Sequence, residues 1–175
     1  MAMHSNEHSD ERPTEIQYLI DRARILDLLA RYFQGLDRCR PEQVRSCFTD
    51  DIQAHYDQRP PVRGIEELMA GFQTFKRMKE GKMKVTTHFM GNLNITSLEG
   101  DVAETETNAL AFLVEPVEGA GLVSMRSLRY IDRMRRRENG WRISDRIHTL
   151  DWSCQVPANF AITLAQRIST LPSRS

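Results

Sequence analysis

Cysteine is scarce in this sequence, and the little there is forms no pattern. The three present, Cys39, Cys47 and Cys154, are odd in number and match no metal-ligand spacing, which argues against a disulfide framework and for reduced thiols in or near packed regions. An excess of one charge is lacking too. Lys+Arg and Asp+Glu both number 24, so no overall field draws the chain to nucleic acid or to an anionic membrane, and neither is expected as a partner. No apolar run approaches the roughly 18 residues needed to span a bilayer, and the opening MAMHSNEHSDERPTE lacks the hydrophobic centre of a signal peptide. A soluble, cytoplasmic protein is the expectation. Glycine-rich nucleotide loops, a nucleophile elbow and a cysteine–histidine pair are also missing, so no cofactor is implied.

What is there is enough for one domain with an enclosed core: 175 residues without repeats or low-complexity linkers. Residues 1–13 are polar and of mixed charge and read as a flexible tail, the domain as 14–156, and 157–175 as an amphipathic segment able to form a helical lid or cover a neighbour. From Thr14 onward Ile16, Leu19, Ile20, Ala23, Leu26, Ala30 and Phe33 recur at helical steps, widened by Ile25, Leu28 and Leu29. Gly35 weakens the last turn, and Pro41 suits the first turn of a shorter helix carrying Val44, Cys47 and Phe48. A short strand, DIQAHYD, precedes the break QRPPVRG, and IEELMAGFQTFKRMKEG reads as a third helix. After Gly81 four runs alternate as strands: KMKVTTHFMGNLNITSL, DVAETETNALAFLVEP, GLVSMRSLRYIDRMRRR and GWRISDRIHTLDWSC, with EG, VEGAG and ENG as turns. Helices first and long antiparallel strands after them predict the α+β class, a cone-shaped curved antiparallel or mixed sheet wrapped around N-terminal helices and enclosing a pocket.

Two positions in this layout are chemically odd. Counting back from Asp37 in three- and four-residue steps reaches Phe33, Ala30, Leu26, Ala23 and Leu19, so its carboxylate continues the apolar stripe. His88 shares a strand face with Thr86, Met90 and Asn92, opposite Val85, Thr87, Phe89 and Leu93; periodicity leaves open which face is inner. Residue type alone also leaves Asp37 readable as a helix-end contact of Arg38 or Arg40, Tyr32 as a rim aromatic and Arg146 as an exposed strand arginine. His55 and His148 would complete a metal triad with His88 only by chance, since no pair has ligand spacing; no metal site is expected. RMRRRENG reads as a solvated hairpin rather than a phosphate site.

The order of elements, with YFQGLDR, VTTHFMGNLNIT and RYIDRMRRRENGWRISDR, resembles the SnoaL-like branch of the superfamily named after nuclear transport factor two, over about Glu15 to Trp152. The resemblance implies a cone-shaped barrel, a fold that serves dehydratases, isomerases, cyclases, oxygenase small subunits and proteins without catalysis, so fold alone decides little. More specific is the similarity to two lyase types of this branch, bile acid dehydratase and hexachlorocyclohexane dehydrochlorinase. It implies that Asp37 orients His88 as the base that removes a substrate proton. Tyr32 stands where the first type has a functional tyrosine, and Arg146 where the second has a functional arginine. The extra tyrosine and second histidine of scytalone-dehydratase-like sites find no clear positions.

Histidine suits proton abstraction near neutral pH. A carboxylate accepting one ring N–H fixes the tautomer and stabilises the imidazolium that forms. Tyr32 would protonate a departing hydroxide, and Arg146 would stabilise an anionic leaving group or enolate. Helical geometry sets Tyr32 and Asp37 roughly 140° apart, so they share a pocket only if it wraps the helix end or Gly35 loosens it. The expectation is therefore a cofactor-independent, dehydratase-like lyase acting on a small apolar, cyclic molecule such as a steroid, terpenoid, polyketide or aromatic-derived compound. The same dyad also suits an isomerase or cyclase, and the alternative class is a ligand-binding protein or oxygenase small subunit. A homodimer or homotrimer is expected, because a curved sheet with a partly apolar outer face needs a partner.

Overall fold

A computed structural model describes residues 11–116 and 122–157, with side chains from residue 14. The C-terminal lid or oligomer contact expected beyond Pro157, and the tail before residue 11, lie outside the described residues. Helix α1 (Glu11–Asp37) starts five residues before Ile16, the first residue of the apolar stripe.

Four short elements follow, α2 (Pro41–Arg45), β1 (Phe48–Tyr56), β2 (Val62–Arg63) and α3 (Ile65–Gly71), and then α4 (Gln73–Lys79). The single third helix expected from the sequence is thus two. Gly71 is its weak point, and Phe72 leaves the helical region with ψ 82°, packing its ring against Tyr56 and Phe75. The long strands are β3 (Val85–Glu99), β4 (Val102–Val114), β5 (Leu122–Arg137) and β6 (Gly140–Pro157). They form the antiparallel run predicted, turning at Gly100 and Gly140, whose φ of 56° and 94° favour glycine. β1 then pairs in parallel with β6 and antiparallel with β2, giving a curved, unclosed mixed sheet in the order β2-β1-β6-β5-β4-β3.

Helix α1 lies on the concave face against β3 and β6. Its buried side runs through Asp21, Ile25, Leu28, Leu29, Tyr32, Phe33 and Leu36, whereas Ile16 and Leu19 are 57% and 61% exposed. The stripe read from hydropathy through Leu19, Ala23 and Leu26 is therefore displaced around the helix. Buried Asp21 accounts for the rotation: its Oδ1 accepts from Trp141 Nε1 and from Arg136 Nη1, each at 3.0 Å. Arg136 also bonds Asp101, and Arg133 bonds Glu104, so two arginines of the basic hairpin are neutralised locally. Gly35 does not loosen α1, which stays helical to Asp37. A Cβ there would come within 2.7 Å of Val44 Cγ2, so the glycine is what lets α2 pack onto α1.

Strand β3 settles the open question of its faces. Thr86 is buried and Phe89 is 63% exposed, so Thr86, His88 and Met90 face α1. The pairing with β4 shifts between Met90 and Leu93. Beyond this bulge Leu93 and Ile95 pack on the core, which corrects the sequence grouping of Leu93 with the outer face. A Cβ at Gly91 would sit 3.0 Å from the Asn108 carbonyl oxygen, so the bulge needs glycine. The outer face carries exposed Leu110, Ile131, Ile147 and Trp152. No helix among the described residues is long and apolar enough to cross a membrane.

Candidate active site

The end of α1 and the start of β3 meet at one carboxylate. Asp37 Oδ1 lies 2.6 Å from His88 Nδ1 and accepts from Thr86 Oγ1 at 3.0 Å, while Oδ2 accepts from the His88 N–H at 2.8 Å. With a carboxylate on Nδ1, the proton sits there and Nε2 is the basic nitrogen. The Phe33 ring stacks on the imidazole with centroids 5.6 Å apart, closing its other side. Asp37 and His88 retain 22% and 9% side-chain exposure, so the pair is desolvated but reachable.

His88 lines a cavity of about 290 Å³ shared with Tyr32, Tyr56, Tyr130 and His148. Asp37 is not on its wall; it stands behind His88. The angular conflict between Tyr32 and Asp37 disappears, because Tyr32 faces the cavity directly and Asp37 acts on it only through the imidazole.

Register explains the floor. Tyr56 on β1, His148 on β6 and Tyr130 on β5 are direct cross-strand partners, and the row two residues deeper holds Ala54, Arg146 and Asp132. Arg146 is not among the side chains that line this cavity. Its side chain is fully buried and forks onto Asp132, Nε to Oδ1 at 2.8 Å and Nη2 to Oδ2 at 2.7 Å. Above the guanidinium lie the rings of Tyr32 and Tyr130, 4.4 and 4.6 Å from it. Burial works against this charge, but the Asp132 carboxylate holds the guanidinium protonated. Burial likewise raises the Tyr32, Tyr56 and Tyr130 hydroxyls above the ordinary phenol range, with Arg146 pulling the other way. They therefore stay protonated at neutral pH and serve as donors. Tyr56 Oη and Arg146 Nη1 are buried without a hydrogen-bond partner among the described residues.

His148 is the residue the sequence undervalued. Burial pushes it down to about 4, against a smaller opposing pull from Asp57, whose Oδ2 stands 3.8 Å from Nδ1; that nitrogen has no hydrogen-bond partner among the described residues. The unfolded imidazole titrates near 6.5, so between that pH and 4 the unfolded state holds more protons and stability falls as pH falls. The loss is on the order of 3 kcal/mol across that window. His148→Gln is expected to flatten the fall in melting temperature between pH 7 and pH 4.5; a slope identical to that of the parent chain would contradict the assignment. Tyr130, Asp132, Arg146 and His148 had a signal in the sequence: strict alternation in RYIDR and RIH puts each pair on one face. His55 is exposed and borders a different cavity. Among the described residues no group of three or more His, Cys, Asp or Glu side chains is placed to hold a metal.

Comparison with known proteins agrees with this architecture. Hexachlorocyclohexane dehydrochlorinase type 2 superposes with a TM-score of 0.69 at 19% identity, over 87% of this chain and 97% of that one. A candidate scytalone dehydratase of Novosphingobium aromaticivorans gives 0.68 at 16% identity, over 89% and 97%. A candidate aromatic ring hydroxylase of the same species gives 0.67 at 22%, over 79% and 94%. No curated protein matches. At these identities the likeness establishes the fold alone. The SnoaL-like domain family matches residues 17–147, three quarters of the chain, and the protein belongs to that family.

Proposed function

We propose that the protein is a cofactor-independent lyase of the dehydratase type, acting on a small cyclic molecule. The observation that carries the reading is the His88 imidazole on the cavity wall with its Nδ1 bonded to Asp37. His88 Nε2 takes a proton from the carbon next to a carbonyl, and the imidazolium is stabilised by the carboxylate. The electron pair moves onto the carbonyl oxygen, which the phenols of the floor are suited to hold because burial keeps them protonated. Collapse of this enolate expels hydroxide from the next carbon, and a proton donated by Tyr32 turns it into water. The proton held by His88 then passes, directly or through solvent, to the Tyr32 phenolate, which resets the base and the phenol together. Arg146 acts from behind the tyrosines, its charge lending polarity to their donor groups. The resemblance to dehydratases and dehydrochlorinases supports elimination, and an isomerase or cyclase would share the first step.

The test is to incubate the full chain in deuterated buffer with cyclic β-hydroxy ketones and chlorinated cyclohexanes. Deuterium incorporation next to the carbonyl and the absorbance of a new conjugated double bond are followed. Exchange together with elimination on some member is expected. Exchange without elimination would move the reading to an isomerase or cyclase, and neither reaction on any member would count against catalysis.

A further inference from the structure

The cavity wall is not uniformly apolar, and one charge on it stands apart. Its charged side chains are Asp57, Arg59, Arg77 and Arg126. Arg77 is paired with Glu115. Asp57 and Arg59 share the exposed loop after β1, where Asp57 accepts the Leu150 N–H at 2.7 Å. Arg126 is half-buried and forms neither ion pair nor hydrogen bond among the described residues. A guanidinium carries five donors and no acceptor, so withdrawing it from water without a partner is unfavourable.

Its position is fixed by strand register. His88 pairs with Ala111, and Ala111 pairs with Arg126. Direct partners point to the same face, so base and cation look into one cavity across two strand spacings, roughly 10 Å between Cα atoms. Only the Ala111 methyl stands between them. Along β5 the inner face reads Arg126, Leu128, Tyr130, Asp132, and all but the first are buried. Arg126 is therefore at the mouth, above an apolar wall and the phenol floor. The planar fork of arginine matches a carboxylate in geometry as well as charge.

We propose that Arg126 binds a carboxylate on the substrate, so that the cavity accepts a cyclic, mostly apolar acid with its reacting carbon at His88 and its carboxylate about one ring system away. The placement of the reacting carbon rests on His88 being the base; the anion site does not. The probes are 2-naphthoate and the uncharged 2-naphthamide, titrated calorimetrically into the full chain at low salt. Wild type is expected to prefer the naphthoate by about tenfold or more, the scale of one charge-assisted hydrogen bond. Arg126→Gln removes the preference while leaving naphthamide binding intact, Arg126→Lys keeps part of it, and Arg59→Gln leaves it in place. His88→Gln retains the preference, so failure of the lyase reading and failure of the anion site are separately visible. A ratio near one in wild type, no binding of either probe, a preference surviving Arg126→Gln, or its loss in Arg59→Gln alone overturns the proposal.

Discussion

Replacing His88 with Gln is expected to lower turnover of an active substrate by at least about 100-fold, the range that a positioned general base supplies. Asp37→Asn should come close to it for a reason visible in the hydrogen bonding. The carboxylate accepts from three donors, the Thr86 hydroxyl, the His88 backbone N–H and the His88 ring. An amide replaces one oxygen with a donor, and whichever way it turns, donor meets donor. If the amide nitrogen faces the ring, the tautomer inverts and Nε2 carries the proton; if it faces the backbone, a half-buried N–H loses its acceptor. Rate loss in both variants, with circular dichroism spectra unchanged, supports the dyad. Wild-type rates in either folded variant would remove it from the mechanism.

The second large effect is on stability. Asp132→Asn leaves Arg146 charged, fully buried and without its neutralising partner, a change that costs about 3–5 kcal/mol when one member of a buried pair is removed. In a chain of this size that lowers the melting temperature by roughly 10 °C. The double variant Asp132→Leu/Arg146→Met should recover most of the loss, because it removes both desolvated charges and keeps the volume apolar. Equal melting temperatures for Asp132→Asn and wild type, or no recovery in the double variant, would show that the pair is not the stability element described. The folded double variant also isolates the role of Arg146 in chemistry. Should its charge polarise the phenols above it, turnover falls while probe binding at Arg126 persists.

Much of this site was legible before the fold was known. Asp37 continues an apolar stripe by counting in threes and fours, His88 sits on a strand with Thr86, and the turns at Gly100 and Gly140 announce the antiparallel run. These features depend on backbone period and turn chemistry, which act over a few residues. Even there the count was imperfect: of the stripe that pointed to Asp37 only Phe33 is fully buried, because the packed face of α1 is turned toward Asp21, Ile25 and Leu29. The bulge at Gly91 was equally hidden, because alternation is read as if a strand never loses phase.

The amino-acid order thus contained the class of fold, the strand order of its antiparallel half and the candidate base with its carboxylate. The parallel pairing of β1 with β6, and through it the row of Tyr56, His148 and Tyr130, came from pairing between segments about 90 residues apart, which no local pattern encodes. Arg146 meets Asp132 through the register of the β5–β6 hairpin, in which the two are direct cross-strand partners. That Arg126 stands on the cavity wall without a partner among the described residues was equally hidden, since whether a charge is paired is a property of the packed sheet and not of its neighbours in the chain.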